Sequence, residues 1–153
     1  MIDNEVEMIN IRTAVANDLA RVIELDERDT GQGKPDYWRD IFDRYVDGDR
    51  GQRYFLVAEQ NGVVSGFIVG EIRAWEFGST PSGWVFAINV SPDIREQGIA
   101  SQLFDAICSC FKNVNVDTVR TMISRNDPLN LSFFRSQGLS AGPYIQLEMH
   151  LDE

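Results

Sequence analysis

The stretch from Trp84 to Lys112 changes its hydrophobic pattern part-way and thereby decides the fold. It begins as Trp84-Val85-Phe86-Ala87-Ile88-Asn89-Val90, a run that is almost wholly apolar and rich in β-branched and aromatic residues. Such a run is typical of a strand that is buried on both faces of a sheet. After Ser91-Pro92-Asp93-Ile94 the apolar residues recur at helical spacing, at Ile99, Leu103, Ile107, Cys110 and Phe111. The sequence therefore predicts a central strand followed by a long helix.

The turn between this strand and this helix has the features of an anion-binding site. It reads Arg95-Glu96-Gln97-Gly98-Ile99-Ala100, and its Gly98 and small Ala100 allow a ligand to approach the backbone closely. The first N–H groups of a helix have no intrahelical partners, and they lie at the positive end of the helix dipole. A phosphate group fits this place, although close packing of the helix on the strand would favour the same small residues.

The turn also resembles a known signature. The chain contains neither Gly-x-Gly-x-x-Gly nor Gly-x-x-x-x-Gly-Lys-Ser/Thr, the two common nucleotide-binding motifs. Arg95, Gly98 and Ala100 instead match the three defining positions of Arg/Gln-x-x-Gly-x-Gly/Ala, the signature of the GNAT superfamily of N-acetyltransferases. Val90-Ser91-Pro92 resembles the strand end and the proline loop that precede this signature. The resemblance implies an N-acetyltransferase that uses acetyl-coenzyme A as its acetyl donor.

The resemblance also implies where the coenzyme binds. The main-chain N–H groups from about Glu96 to Ser101 would hold its pyrophosphate. Asn89 and Val90 would hold the pantetheine arm, which in this superfamily binds like an added strand where the central strand parts from its neighbour. The coenzyme-binding residues implied in this way are Asn89, Val90, Arg95, Glu96, Gln97, Gly98, Ile99, Ala100, Ser101, Asn126 and Phe134.

The region after residue 125 departs from the family pattern. Relatives commonly carry Asn, then Ala, then Tyr four residues before Gly-Phe. This chain has Asn126 one place early, and Phe134 stands four residues before Gly138-Leu139. The phenolic hydroxyl that often protonates the departing thiolate in this superfamily is therefore missing. Phe134 favours an alternative function, a catalytically weak sensor or regulatory module that binds an acyl-coenzyme A.

No catalytic base can be carried over by motif. Trp84 and Met122 stand where some relatives have a glutamate. An amine must lose a proton before it attacks a thioester, so a carboxylate or a chain of waters is expected as the base. The candidates by location alone are Glu71, Glu76, Tyr144 and Glu148, of which we select Glu71 and Tyr144. Each of them could equally be a solvated surface group.

The remaining segments predict one α/β domain over residues 1–153, a three-layer sandwich whose sheet is mixed and mostly antiparallel, with a central parallel pair. The predicted order is β-α-α-β-β-β-α-β-α-β, which resembles the GNAT order. Pro35 suits the start of the second helix, and Asn61-Gly62 predicts a hairpin between the second and third strands. The long helix should be a crossover that leaves the central strand parallel to the next strand. Strict alternation of apolar and polar residues from Tyr144 to Leu151 predicts a closing strand.

Composition limits the classes of function. The 153 residues are 43% hydrophobic and 25% charged, as in an ordinary soluble globule, and the formal net charge of −10 disfavours nucleic-acid binding. No apolar run approaches the ~20 residues of a membrane span, and no basic leader is present, so we predict the cytoplasm and no membrane partner. Cys108 and Cys110 point to different sides of a helix and His150 is the single histidine, so no disulfide and no metal site is predicted.

The predicted partners are acetyl-coenzyme A and an amine acceptor, with a homodimer left open. The acceptor could be a protein N-terminus, a lysine or a small-molecule amine. Nine acidic residues favour a cationic one, because the segment that carries them usually walls the acceptor cleft in this superfamily. They are Glu24, Asp26, Glu27, Asp29, Asp36, Asp40, Asp43, Asp47 and Asp49. Four of these, Asp36, Asp40, Asp43 and Asp47, also form a helical stripe that could simply face solvent.

Overall fold

The computed structural model describes residues 8–152, except for the side chains of residues 95–97. The strands are β1 (Asn10–Thr13), β2 (Arg53–Gln60), β3 (Val63–Arg73), β4 (Ser82–Val90) and β5 (Val119–Thr121). The α-helices are α1 (Leu19–Thr30), α2 (Pro35–Tyr45), α3 (Ile99–Asn113) and α4 (Pro128–Ser136). Short 3₁₀ turns span Ala16–Asp18, Glu76–Gly78 and Pro92–Gln97. None of the helices in the described part of the chain is long and apolar enough to cross a bilayer, and the cytoplasmic location stays a prediction.

The strands form one mixed sheet in the order β1-β2-β3-β4-β5. The first three pairings are antiparallel, and β4 runs parallel to β5. The predicted hairpin is confirmed, because Asn61 and Gly62 take φ values of 53° and 77°, which a type I′ turn requires. The crossover through α3 is also confirmed as the connection between the two parallel strands.

Helices cover both faces of this sheet. On one face, Trp38 of α2 packs edge-on against Phe55 and Phe67, with ring centroids 6.1 Å and 5.3 Å apart. On the other, Phe111 of α3 packs against Tyr54 at 5.7 Å. Neighbouring residues of a strand point to opposite faces, so Tyr54 and Phe55 place α2 and α3 on opposite sides of the sheet. The predicted three-layer arrangement is therefore confirmed.

The chain divides into two compact units, of which the first ends at Met122 and the second begins at Ile123. The single domain over residues 1–153 therefore stays a prediction. Within the second unit, α4 ends in a Schellman motif, since Leu139 N–H donates to Phe134 O and Gly138 N–H donates to Arg135 O, both at 3.0 Å. The predicted role of Gly138 as the residue that ends this helix is confirmed.

The predicted closing strand is wrong. Residues 144–151 are neither strand nor helix, and every one of them is exposed. Alternation shows only that a segment has one apolar face, whereas a strand also needs a neighbour that takes up its backbone hydrogen bonds. Because the described residues contain no closing strand, the parallel pair β4–β5 lies at one end of the sheet and not at its centre.

Candidate active site

The ladder between β4 and β5 stops after three residue pairs. It runs from Gly83–Val119 to Val85–Thr121, where Thr121 Oγ1 also donates to Val85 O at 2.8 Å. β4 continues beyond this point for five residues, of which the last four, Ala87 to Val90, remain paired with β3. Within residues 8–152, no strand joins residues 86–89 on the side away from β3. Backbone groups on this side of β4 are therefore placed to bind an extended ligand.

A β-bulge lies at the residue where the ladder stops. The register between β3 and β4 shifts between Val69 and Gly70, which leaves Phe86 as the extra residue of β4. A bulge bends its strand and redirects the side chains around it. Phe86 packs edge-on against Tyr45 of α2, with 5.5 Å between the ring centroids. The bulge thus directs this part of β4 toward the end of α2.

The turn before α3 is open. Gly98 takes φ 73° and ψ 16°, and a Cβ built on it would have no heavy atom of the described residues within 4 Å, apart from its chain neighbours. The first helical hydrogen bond runs from Gln102 N–H to Gly98 O at 3.1 Å. The N–H groups of Ile99 and Ala100 precede that bond and point out of the helix N-terminus, where they can receive an anion. The side chains of Arg95, Glu96 and Gln97 lie outside the described part of the chain.

Asn89 carries a buried oxygen that no group in the described part of the chain satisfies. The residue is 8% exposed, and its Nδ2 donates to Leu25 O at a long 3.4 Å. Its Oδ1 is buried and accepts no hydrogen bond from any described residue. Such an orphaned acceptor costs about 1–3 kcal/mol unless a ligand N–H satisfies it. The amide N–H groups of a pantetheine arm are donors of this kind, so the opening, the helix N-terminus and Asn89 together fit coenzyme A.

Glu71 lies beside the end of this opening. It pairs with Trp84, one residue before the last β4–β5 pair. Tyr45 Oη donates to Glu71 Oε2 at 2.9 Å, and Arg73 Nε donates to Oε1 at 3.1 Å. The Glu71 side chain is about a quarter exposed, at 24%. A half-buried carboxylate held in place by two donors can accept a proton from a substrate bound next to it.

The buried hydroxyl of Tyr45 holds Glu71 at every practical assay pH. Burial, followed by the hydrogen bond to Glu71 and the negative charge of that residue, raises the pKa of Tyr45 to about 12. The phenol therefore keeps its proton and goes on donating to Glu71 between about pH 6 and pH 10.

Glu71 also lines a cavity of about 330 Å³. This volume is in the range of small-molecule sites. The cavity is lined by Asp49, Arg50, Gly51, Gln52, Arg53, Glu71 and Ile72. It contains two acids and two arginines, so its own charge does not select a cation.

Three further predicted site residues belong to the second unit. Phe134 is buried at 4% exposure and packs edge-on against Phe133, with ring centroids 5.1 Å apart. Asn126 is exposed, and its N–H donates to Ser124 Oγ. Tyr144 is 55% exposed and does not lie in a strand. Of the other predicted site residues, Glu71 lies on β3, Asn89 and Val90 lie on β4, and Ile99, Ala100 and Ser101 begin α3, all within the first unit.

The acidic residues of α2 face outward. Trp38 and Tyr45 are buried, whereas Asp36 and Asp40 are exposed and pair with Arg39 and Arg44 of the same helix. Of the earlier acids, Asp26 is buried and binds both Trp38 Nε1 and Lys34 Nζ at 3.0 Å. The solvent-facing alternative is thus the one that the structure shows for this helix.

The sequence matches the family model described as "Acetyltransferase (GNAT) family" over residues 19–139. The chain belongs to the GNAT family. The matched range includes β4, the turn at Gly98 and all of α3, and it extends to the end of α4. Curated proteins gave no sequence match.

Solved structures share this GNAT fold at low sequence identity. The aminoglycoside N-acetyltransferase AAC(6')-Iy in complex with CoA is 18% identical, with a TM-score of 0.83 over 97% of this chain and 99% of its own. A transcriptional regulator from Bacillus halodurans C-125 is 19% identical, with a TM-score of 0.78 over 94% of this chain and 100% of its own. The aminoglycoside acetyltransferase meta-AAC0020 from an uncultured soil metagenomic sample, in complex with sisomicin, is 16% identical. Its TM-score is 0.73 over 95% of this chain and 97% of its own.

Tyr45 was missed by sequence reasoning. It ends the apolar stripe of α2, so its pattern predicts a core residue, and its side chain is indeed buried. A buried tyrosine hydroxyl nevertheless needs a hydrogen-bond partner, and this requirement is the signal that could have drawn attention to it. The partner, Glu71, is 26 residues away in sequence.

Tyr45→Phe is expected to lower kcat about fivefold, which corresponds to ~1 kcal/mol for one lost hydrogen bond to a carboxylate that keeps a second donor. The KM for acetyl-coenzyme A should not change, because this hydroxyl is not among the groups expected to hold the coenzyme. Steady-state kinetics would measure both constants. Tyr54→Phe, which removes a hydroxyl on the opposite face of the sheet, is the matched control. Equal losses in the two variants would show that Tyr45 has only a packing role.

Proposed function

We propose that this GNAT protein transfers an acetyl group from acetyl-coenzyme A to a primary amine of a cationic small molecule, by direct attack within a ternary complex. The observation that carries the proposal is the end of the β4–β5 ladder after Val85, with an Asn89 Oδ1 that no described residue satisfies on the part of β4 beyond it. This part of β4 offers main-chain groups to a pantetheine arm, and the turn at Gly98 offers N–H groups to its pyrophosphate.

Glu71 is proposed as the general base. An amine that is protonated in solution must lose a proton before its nitrogen attacks the thioester carbonyl. Glu71 lies on the strand next to the bulge at Phe86, and its position is held by Tyr45 and Arg73. A positioned carboxylate that removes this proton contributes ~10²–10⁴-fold to the rate. Bound acetyl-coenzyme A supplies the activated acetyl group.

Phe134 cannot give a proton to the departing thiolate. A thiolate leaves readily without one, because the pKa of a thiol is only about 8.5. In the proposed reaction the C–N bond forms as the C–S bond breaks, the amine's protons pass to Glu71 and to solvent, and the thiolate is protonated by water. The missing phenol is therefore compatible with turnover.

The proposal of a cationic acceptor rests on the charge of the whole chain. A net charge of −10 raises the local concentration of cations, and salt weakens this attraction because it shortens the Debye length to about 8 Å at physiological strength. Two of the proteins with the same fold are aminoglycoside acetyltransferases, and aminoglycosides are polyamines. The cavity beside Glu71 has room for part of such a molecule.

The test is a panel of amines assayed for release of free thiol from acetyl-coenzyme A. The panel contains sisomicin, a linear polyamine, a lysine-containing peptide and a primary amine that has no other charged group. The expected result is the highest kcat/KM for the polycationic small molecules. We also expect this kcat/KM to fall by about tenfold between low and physiological salt, while the kcat/KM for the amine with no other charged group changes little. Equal salt dependence for both kinds of acceptor would contradict charge-based recognition.

The second candidate is an acyl-coenzyme A sensor of the same fold, and Phe134 is the observation that favours it. A sensor would bind coenzyme A in calorimetry but release no thiol with any amine of the panel. Thiol release above the background rate with at least one acceptor would instead establish the enzyme.

A further inference from the structure

The cavity beside Glu71 contains two arginine side chains whose hydrogen-bond donors are available to a ligand. Arg50 and Arg53 both line this cavity, and both are half-buried. Among the described residues, neither guanidinium group donates a hydrogen bond and neither forms an ion pair with a carboxylate. Each guanidinium has several N–H donors and no acceptor. The free hydrogen-bonding capacity of the two arginines is therefore that of an anion-binding site.

Arg53 does not pair with Glu71, although these two described residues face each other across the β2–β3 ladder. Opposite charges at directly facing positions normally interact. Glu71 instead accepts from Tyr45 Oη at 2.9 Å and from Arg73 Nε at 3.1 Å. The guanidinium of Arg53 lies over the ring of Tyr45, 5.7 Å from its centroid. Arg53 is thus held beside the proposed base while its donors stay available.

The two acids of the cavity already accept hydrogen bonds. Asp49 Oδ1 accepts from Gly51 N–H at 3.1 Å, and both oxygens of Glu71 have the donors named above. The cavity contains as many acids as arginines, but its acids are engaged and its arginines are not. A carboxylate is the ligand group that fits best, because the planar fork of a guanidinium binds two carboxylate oxygens in parallel.

We propose that the acceptor is a diamino carboxylic acid, whose carboxylate is bound by Arg50 and Arg53 while one of its amines lies at Glu71. This inference rests on the proposed function and narrows its acceptor class. A diamino acid has two ammonium groups and one carboxylate at neutral pH, so it keeps the net positive charge proposed above. The cavity volume of about 330 Å³ is in the range that accommodates a molecule of this size.

Recognition of a carboxylate and recognition by net charge predict opposite orders for one matched pair of ligands. L-Lysinamide has the same carbon chain as L-lysine, but a neutral amide replaces the carboxylate. Attraction to the negative charge of the whole chain favours the amide, which has the larger positive charge. Two arginines in the cavity favour the amino acid, because they bind its carboxylate and repel the additional positive charge.

Calorimetry with the full chain, in the presence of saturating coenzyme A, measures this order directly. We expect L-lysine to bind about tenfold more tightly than L-lysinamide, which is the effect of about one charge-assisted hydrogen bond. L-Ornithine and L-ornithinamide provide the same comparison for a chain that is one carbon shorter. If both amides bind as tightly as their amino acids or more tightly, the carboxylate site is overturned.

The double variant Arg50→Gln/Arg53→Gln should abolish the preference for the amino acid. Its Kd for the amino acid should rise about tenfold, while its Kd for the amide stays within about twofold of wild type. Arg44→Gln is the matched control, because it removes a guanidinium that lies 5.5 Å from the centroid of the same Tyr45 ring but outside the described lining of the cavity. A preference that survives the double variant, or that the control abolishes equally, would overturn the assignment.

Thiol release from acetyl-coenzyme A distinguishes failure of this inference from failure of the proposed function. If amines release thiol but the amino acids bind no better than their amides, the enzyme is supported and the carboxylate site is overturned. If the amino acids bind better but no acceptor, sisomicin included, releases thiol, the carboxylate site is supported as a binding site and the proposed acetyl transfer is overturned.

Discussion

Gly98→Val is expected to weaken coenzyme A binding by more than 100-fold. Two effects act together. Gly98 has φ 73°, where a residue with a Cβ is strained by about 1–2 kcal/mol, so the first turn of α3 would shift. The open space above the turn would also be filled by the side chain, although it is proposed to hold the pyrophosphate. Losing one or two charge-assisted hydrogen bonds costs about 3 kcal/mol, which is more than 100-fold in Kd.

The effect of backbone strain on coenzyme affinity has to be distinguished from the effect of losing the binding site. Gly48, in the loop between α2 and β2, has φ 68°, and a Cβ built on it also has no heavy atom of residues 8–152 within 4 Å, apart from its chain neighbours. Gly48→Val therefore introduces the same kind of strain away from α3, and it should leave the calorimetric Kd for coenzyme A within about twofold of wild type. Denaturant unfolding of both variants would show whether their stabilities are matched. A folded Gly98→Val protein with wild-type affinity would mean that this turn does not bind the coenzyme.

Glu71→Gln is expected to lower kcat by about 100-fold or more at neutral pH, because the amide cannot take the proton of the acceptor amine. The substitution keeps the shape of the side chain, and it leaves oxygen available to the hydroxyl of Tyr45. The KM for acetyl-coenzyme A should change little. As the pH approaches the amine's own pKa of about 10, more of the acceptor is already neutral and the variant should regain activity relative to wild type.

Glu76→Gln is the matched control for this experiment. Glu76 is exposed and approaches Arg73 Nε at 4.0 Å, so the variant removes one negative charge from beside the same arginine. Rates measured from about pH 6 to pH 10 for both variants would separate the loss of a base from the loss of local charge. If the two rate profiles coincide, Glu71 is not the base.

The sequence alone determined the elements whose signals are local. The change of period between Trp84 and Lys112 predicted β4 and α3, and Asn61-Gly62 predicted the β2–β3 hairpin, because each signal depends only on neighbours in the chain. The spacing of Arg95, Gly98 and Ala100 in the sequence was sufficient to indicate the family. The match to the family model over residues 19–139 assigns the chain to that family. The fold class followed from the order of these elements.

Only the tertiary structure decided which side chains meet. Tyr45 and Glu71 are 26 residues apart, and Asn89 reaches Leu25 across 64 residues, so no local pattern could show either contact. The sequence pattern of α2 allowed its acidic residues to face either a cleft or solvent. They face solvent because Trp38, on the opposite side of the helix, is buried. Residues 144–151 are a second case in which a local sequence pattern did not determine the structure. Their alternation specified an apolar face, but a strand forms only where a neighbouring edge accepts its backbone hydrogen bonds, and the sequence of one segment does not contain that edge.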